Sequence, residues 1–312
     1  MEGVMIRRLS PILVLVAAFT LLAAACAEEE GGGGGQATGG QTAQGVCTSV
    51  DTSTDDVLAR ICSQGSIRVA TDQKYKPQSW YDAKEGEWKG FDVEVAQEIA
   101  KRLGVTADIN HQDWEVITAG SWNDRWDVSV GSMTDTIPRE KLFNFTPAYY
   151  YTPASFAVHE SNTSIQNVDT DLDGKKVCVG VSTTYQDYLK GSLVLGAGAP
   201  DFEFVVDNPH ILTFNTDTDA LDQLSLGDGV RCDAAMSAQP TIQAYIDDGG
   251  PIKLVGDPLY YEPLSIAFDK KDPVDNTSLV DAVSKIVEDM HADGTLTDLS
   301  MKWYGTDLTT SI

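Results

Sequence analysis

Asp127-Val-Ser-Val-Gly-Ser-Met-Thr-Asp-Thr-Ile-Pro-Arg139 holds a strand, a turn and the start of a helix in one short run. Trp126 to Val130 reads as a buried strand, and Pro138 suits a first helical turn, where its missing N–H has no partner to lose. Between them Gly131, Ser132 and Thr134 follow the carboxyl end of the strand. Backbone N–H groups, the Thr134 hydroxyl and the Arg139 guanidinium can converge there on one point. A planar fork of donors suits a carboxylate. The plainer alternative is an exposed pairing of Arg139 with Glu140 or a nearby aspartate, which would contribute little.

Outward from this run the chain alternates β-rich and helical segments, the pattern of an α/β architecture. Ile67 to Ala70 is predicted as a strand, ended by Asp72, which can accept hydrogen bonds from a solute or cap a turn. Phe91 to Leu103 puts Phe91, Val95, Ala96, Ile99, Ala100 and Leu103 on one helical face, with Gly104 as a stop. Three strand–helix units follow: Lys176 to Val181 with Thr184 to Leu189, Ile211 to Phe214 with Thr218 to Leu224, and Cys232 to Met236 with Pro240 to Ile246. Two extended segments, Ser155 to Val158 and Leu264 to Phe268, bracket them. One domain inserted into another and joined by two crossings is expected, hence a hinge. The expected bounds are residues 47–152 plus 264–312 for the first lobe and 153–263 for the second. The last helix, Leu279 to Met290 with Asn276 as its cap, returns to the first lobe.

The N-terminal end reads differently. Arg7 and Arg8, the apolar run Ile12 to Leu22 and Ala23 to Ala25 follow the order of a secretory signal, and the run is short for a bilayer span. Residues 1–25 are therefore expected to be removed. Cys26 directly after the small residues resembles the lipobox of bacterial lipoproteins, with the usual leucine displaced by one position to Leu22. That resemblance implies diacylation at Cys26 and anchoring on the outer face of the cell membrane, since two acyl chains hold where one is marginal. A plain secretory signal cut after Ala25 is the alternative. Residues 26–46, rich in Gly, Thr and Gln, read as a flexible tether.

Composition narrows the partners. The formal net charge is −25, and losing Glu2, Arg7 and Arg8 removes +1, leaving −26. Such a surface repels phosphate backbones, so nucleic acid is excluded. Cys47, Cys62, Cys178 and Cys232 are an even set for an oxidising compartment. Three pairings are possible. Cys47 with Cys62 and Cys178 with Cys232 is favoured because each closes within one region, at roughly 3 and 4 kcal/mol in the chain-entropy model. A metal site is the competing reading, but there is no Cys-x-x-Cys pair.

Several segments together resemble the bacterial extracellular solute-binding proteins that serve polar amino acid ABC importers. They are Ile67-Arg-Val-Ala-Thr-Asp72 with Tyr75 and Pro77, Gly90-Phe-Asp-Val-Glu94, Asp113-Trp114, Asp127 to Thr134 with Arg139, and Phe145-Thr-Pro-Ala-Tyr149. Leu172 to Val177, Asp233-Ala-Ala235, Asp293-Gly-Thr-Leu296 and Lys302-Trp303 extend the match from about Cys62 to Gly305. The resemblance implies two Rossmann-like lobes joined by a two-strand hinge, a type II periplasmic-binding-protein-like α/β fold. It implies that Arg139 grips a ligand carboxylate with help from Gly131, the Ser132 backbone and Thr134. Tyr75 and Trp114 would set aromatic rings against the solute, each a core-packing residue otherwise. Gly180-Val-Ser-Thr-Thr184 resembles the loop that closes over the carboxylate, with Ser182, Thr183 and Thr184 as donors or as helix caps. The family pattern carries an aspartate shortly before the proline of Pro240, but this chain reads Met236-Ser-Ala-Gln-Pro240. A ligand ammonium would then have to find Asp72, Ser237, Gln239 or an aromatic face, or be absent from the ligand.

The expected partners are a small polar zwitterionic or carboxylate solute, a permease with its ATPase, and membrane lipid through Cys26. A monomer is expected. Glutamine, glutamate, other polar amino acids and a compatible solute such as an ectoine all remain candidates. Relatives that are dehydratases make an enzyme the first rival. No Ser/His/Asp arrangement, zinc spacing or phosphate loop supports it, and His111, His159, His210 and His291 are scattered. Neither a cofactor nor a metal is expected. A sensor lipoprotein is the second rival, distinguished only by its partner.

Overall fold

The structure, a computed structural model, describes residues 45–310. The signal 1–25, Cys26 and nearly all of the tether fall outside them. Gly45 and Val46 are described, and Val46 opens a 3-10 turn, Val46–Ser49, that packs on the first lobe's core.

In chain order the elements are α1 (Val57–Gln64), β1 (Ser66–Thr71), β2 (Lys74–Tyr75), β3 (Ser79–Asp82), β4 (Glu87–Lys89), α2 (Phe91–Leu103), β5 (Thr106–His111), α3 (Trp114–Thr118), β6 (Val128–Thr134), α4 (Ile137–Glu140), β7 (Phe143–Phe145) and β8 (Tyr150–His159). They continue with α5 (Val168–Asp171), β9 (Lys176–Gly180), α6 (Thr184–Leu189), β10 (His210–Phe214), α7 (Asp217–Leu224), β11 (Ala234–Ala238), α8 (Gln239–Asp247), β12 (Ile252–Asp269), α9 (Thr277–Ala292) and α10 (Thr295–Tyr304). One sheet runs through the molecule in the order β10-β9-β11-β8-β12-β6-β1-β5, with β7 added to β12. β2, β3 and β4 form a separate small sheet.

The two bracketing segments are much longer than expected, because β8 and β12 pair antiparallel along both lobes. Tyr260–Leu264 faces Tyr150–Ala154, Ile252–Val255 faces Phe156–His159, and the register breaks between Val255 and Tyr260. Pro153 and Pro263 lie on these crossings within a continuous register and have no N–H to give the ladder. The apolar side chains gather accordingly. Val69, Phe91, Ile99, Val130, Ile266 and Val287 share one core, while Phe156, Val179, Tyr188, Met236 and Tyr260 share another.

Two strands begin two residues later than the sequence suggests. Trp126 leaves the sheet to pack on Trp122, and Asp127 accepts Arg68 N and ion-pairs with Arg60 and Arg68. β6 then starts at Val128 and continues, buried throughout, to Thr134. Likewise β11 begins after Asp233, whose side chain is taken by Lys176 N, and reaches Ala238. Both shifts carry strand ends deeper between the lobes.

Cys47 is joined to Cys62 and Cys178 to Cys232, with Cα atoms 5.2 and 5.8 Å apart. Replacing Cys178 and Cys232 by serine should remove a constraint on a 54-residue separation, about 4 kcal/mol in the chain-entropy model. Urea unfolding should show a lower midpoint for that variant. An unchanged midpoint would mean that the bridge adds nothing to the second lobe.

Candidate functional site

The carboxyl ends of β1, β6, β9 and β10 meet between the lobes around a cavity with about 480 Å³ of empty space, counting the open solvent at its mouth. Asp72, Tyr75, Trp114, Gly131, Ser132, Thr134, Arg139, Thr183 and Thr184 line it, as do Gly180, Tyr185, Asn215, Thr216, Asp217 and Glu262.

Arg139 follows from the turn that ends β6. Thr136 caps α4 and accepts Arg139 N at 3.3 Å, which sends the side chain back along the strand. Nη1 donates to Thr134 O at 3.0 Å and Nη2 crosses the cleft to Ser182 O at 2.9 Å. The guanidinium lies 5.4 Å from the Trp114 ring centroid and the residue is 9% exposed. Burial pulls its pKa down from the ordinary arginine value, with the nearby Glu262 charge opposing the shift. The exposed pairing with Glu140 does not form. Two of the five guanidinium N–H groups are spent on carbonyls, which leaves donors for an anion in the cavity.

Three carboxylates face this one cation. Asp217 opens α7, where Thr216 caps the helix. Its Oδ2 accepts Ser237 Oγ at 2.9 Å, while its Oδ1 is buried with no well-formed hydrogen bond, although the Gly180 N–H stands near enough to the carboxylate to favour its charged form. Gly180 makes room for it: a Cβ there would stand 2.4 Å from Asp217 Oδ1. Burial pushes the Asp217 carboxyl up to about 7. Glu262, on the β12 crossing, accepts the Thr134 hydroxyl from one lobe at 2.8 Å and the Thr184 hydroxyl from the other. Burial raises its pKa, as it does for Asp72, whose Oδ1 takes Lys74 N at 2.8 Å. A site rich in buried carboxylates and short of positive charge attracts cationic groups.

Several expected donors are already committed. Ser132, at φ 56°, gives its N–H to Tyr149 Oη at 3.1 Å and its hydroxyl to Asp92 Oδ2 at 2.7 Å, so it shapes the floor and offers no backbone donor. Thr134 and Thr184 give their hydroxyls to Glu262. Thr183 caps α6 and donates to Gly180 O at 2.8 Å. Ser182 does not line the cavity; its carbonyl receives Arg139 and Trp114 Nε1, and its N–H goes to Gln186. Ser237 stands behind Asp217, orienting it. Gln239 faces a different depression, beside Pro240, Trp303 and Tyr304. Where the family pattern has an aspartate and this chain has Ala238, the nearby carboxylate is Asp217 at the start of α7, two strands along the sheet from β11 and joined to it through Ser237. Asp217 was signalled by Asn215-Thr-Asp217, which lies between strand and helix just as Gly180 to Thr184 does. Glu262 and Tyr185 had no such signal.

A two-lobed α/β body with its cavity at the strand ends between the lobes defines a type II periplasmic-binding-protein-like protein. A model of the bacterial extracellular solute-binding proteins, family 3, matches residues 67–306, and the chain belongs to that family. It is 28% identical to the L-cystine-binding protein TcyJ of Escherichia coli (strain K12), over 82% of this chain and 88% of that one. Among solved structures, an ancestral arginine-binding protein bound to arginine is 29% identical, with a TM-score of 0.65 over 77% of this chain and 99% of that one. The ancestral amino acid-binding protein AncCDT-1, a precursor of cyclohexadienyl dehydratase, is 28% identical, with a TM-score of 0.66 over 79% and 99%.

Proposed function

We propose that the chain is the extracellular substrate-binding component of an ABC importer and that it captures an α-amino acid between its lobes without turning it over. The observation that carries this reading is a buried cation and a buried carboxylate with one oxygen lacking a well-formed hydrogen bond in one cavity, Arg139 and Asp217. Arg139 takes the α-carboxylate and Asp217 the α-ammonium, with Ser237 holding Asp217 in place. Tyr75, Trp114 and Tyr185 enclose the side chain. Asp72 and Glu262 leave the cavity with three carboxylates against one arginine, which favours a side chain that is itself cationic. The lobes, residues 47–152 plus 264–312 and the inserted 153–263, close on the solute and present it to a permease with its ATPase. Cys26 holds the body at the outer face of the membrane through its lipid.

A thermal-shift screen tests the reading, because a ligand at 100 times its Kd adds about 2.7 kcal/mol, or roughly 5 to 10 °C for a body of this size. L-Arginine, L-lysine and L-ornithine should raise the midpoint most, and L-glutamate least. A larger shift with glutamate or cystine would end the cationic preference. No shift with any amino acid would end the binding reading, and conversion of a bound solute to a new product would make the chain an enzyme.

A further inference from the structure

The connection between α6 and β10, residues 190–209, exceeds the ~12–15 residues beyond which unstructured connections are uncommon and usually functional. It is tied firmly to its own lobe. Leu193 is buried in the second lobe's core, with Leu195, Phe202 and Val206 packed against that core. Tyr188 Oη donates to Glu203 O at 2.9 Å and accepts Val205 N at 3.0 Å. The leading edge of the connection leaves this lobe and meets the other one. Leu195 makes an isolated antiparallel bridge with Thr136. Ile137 N donates to Val194 O at 3.1 Å and Gly196 N donates to Asp135 O at 2.9 Å. Asp135 to Ile137 is the segment immediately before Pro138 and Arg139, so the bridge grips the backbone that aims the guanidinium.

We propose that residues 190–209 form a strap whose Val194–Gly196 edge docks on Asp135–Ile137 as the lobes close, fixing the segment that carries Arg139 and slowing release of the solute. The inference deepens the binding reading above and rests on it for its ligand. The residues of the bridge are positioning residues, since none of them lines the cavity. Other contacts between the lobes at the surface are weaker candidates for this task. Lys74 with Asp219, at 3.2 Å, and Lys76 with Asp248, at 2.8 Å, are largely exposed ion pairs, which contribute little.

Gly196 controls the fit. A Cβ there would stand 3.0 Å from Asp135 Cγ, 3.1 Å from its Oδ2 and 3.2 Å from its backbone O. Because Gly196 is not among the positive-φ glycines, a side chain there strains the approach of the first lobe and not the backbone of the second. Gly196→Val should therefore fold normally and close badly.

The test uses the whole mature chain with L-arginine as the probe. Gly196→Val should release it roughly tenfold faster, the scale of losing two hydrogen bonds, with little change in association rate and an unchanged melting midpoint without ligand. Asp135→Gly, which removes two of the three opposing atoms, should restore part of the slow release to Gly196→Val. A dissociation rate equal to wild type in Gly196→Val overturns the strap while leaving amino acid binding intact. A second arm needs no ligand. Residues opposed in an antiparallel bridge have Cα atoms about 4.5 to 5.5 Å apart, within disulfide reach, so Thr136→Cys with Leu195→Cys should crosslink on mild oxidation and faster with L-arginine. A crosslink in a chain that binds no amino acid keeps the strap and removes the ligand assignment. Absence of a crosslink under both conditions removes the strap.

Discussion

Arg139→Ala is expected to weaken amino acid binding by about 2 to 5 kcal/mol, the range for removing one partner of a buried, hydrogen-bonded charge pair. That is roughly 30-fold to several-thousand-fold in Kd. Two losses combine. The ligand carboxylate loses its cation in a cavity whose other charges, Asp72, Asp217 and Glu262, all repel it. Thr134 O and Ser182 O also lose their donor, and Ser182 O belongs to the opposite lobe, so the variant gives up a tie that helps hold the cleft shut. Arg139→Lys should recover only part of the affinity, because an ammonium is a point charge and cannot fork between a carboxylate and two carbonyls. Calorimetry checks both variants. A Kd for Arg139→Ala within threefold of wild type, about 0.65 kcal/mol, would exclude Arg139 from the carboxylate site.

Asp217→Asn should cost a similar amount of affinity for the opposite end of the solute and should change the pH dependence as well. In the ligand-free cleft burial holds the Asp217 carboxyl at about 7. An ammonium brought against its Oδ1 favours the ionised form and lowers that pKa, so binding releases a proton. Affinity is then full above pH 7 and falls as the pH drops through 7 toward the pKa of the complex. In the variant this dependence should flatten. Stability moves the other way. Because the folded pKa lies above the usual value of 3.8, the buried carboxylate lowers stability as pH rises from about 4 to 7. The ligand-free asparagine variant should thus melt higher than wild type at pH 8. Tight binding by the variant, or a Kd of wild type that does not vary between pH 5 and pH 8, would remove Asp217 from the ammonium site.

The parts of this architecture that were legible in the sequence are those written in local pattern. The face of α2 was readable from Phe91, Val95, Ala96, Ile99, Ala100 and Leu103, which are all buried. Two of the three strand–helix units were readable because β9 and β11 are short, buried apolar runs, whereas β10, at the sheet edge, is only partly covered. Arg139 stood next to a strand end and a helix start, which is where such folds bind ligands. Other features depend on contacts that no local window contains. Glu262 is one of three carboxylates in a long strand, with Asp257 and Asp269, and its meaning comes from Thr134 and Thr184, which are 128 and 78 residues away. Ser132, Thr134 and Thr183 line the cavity, but their protons go to Tyr149 and Asp92, to Glu262 and to Gly180 O, and only the last of these partners lies within a local window of sequence. The sheet of β2, β3 and β4 was missed because its strands are too short and too polar to show a period.

The central claim is that both ends of an α-amino acid are read at once, the carboxylate by Arg139 and the ammonium by Asp217. Calorimetric titration of the wild-type chain with L-arginine and with agmatine, its decarboxylated counterpart, tests it most directly. Arginine should bind at least ~30-fold more tightly, since agmatine keeps both cationic groups and has nothing to offer Arg139. Equal affinity for the two would contradict the account.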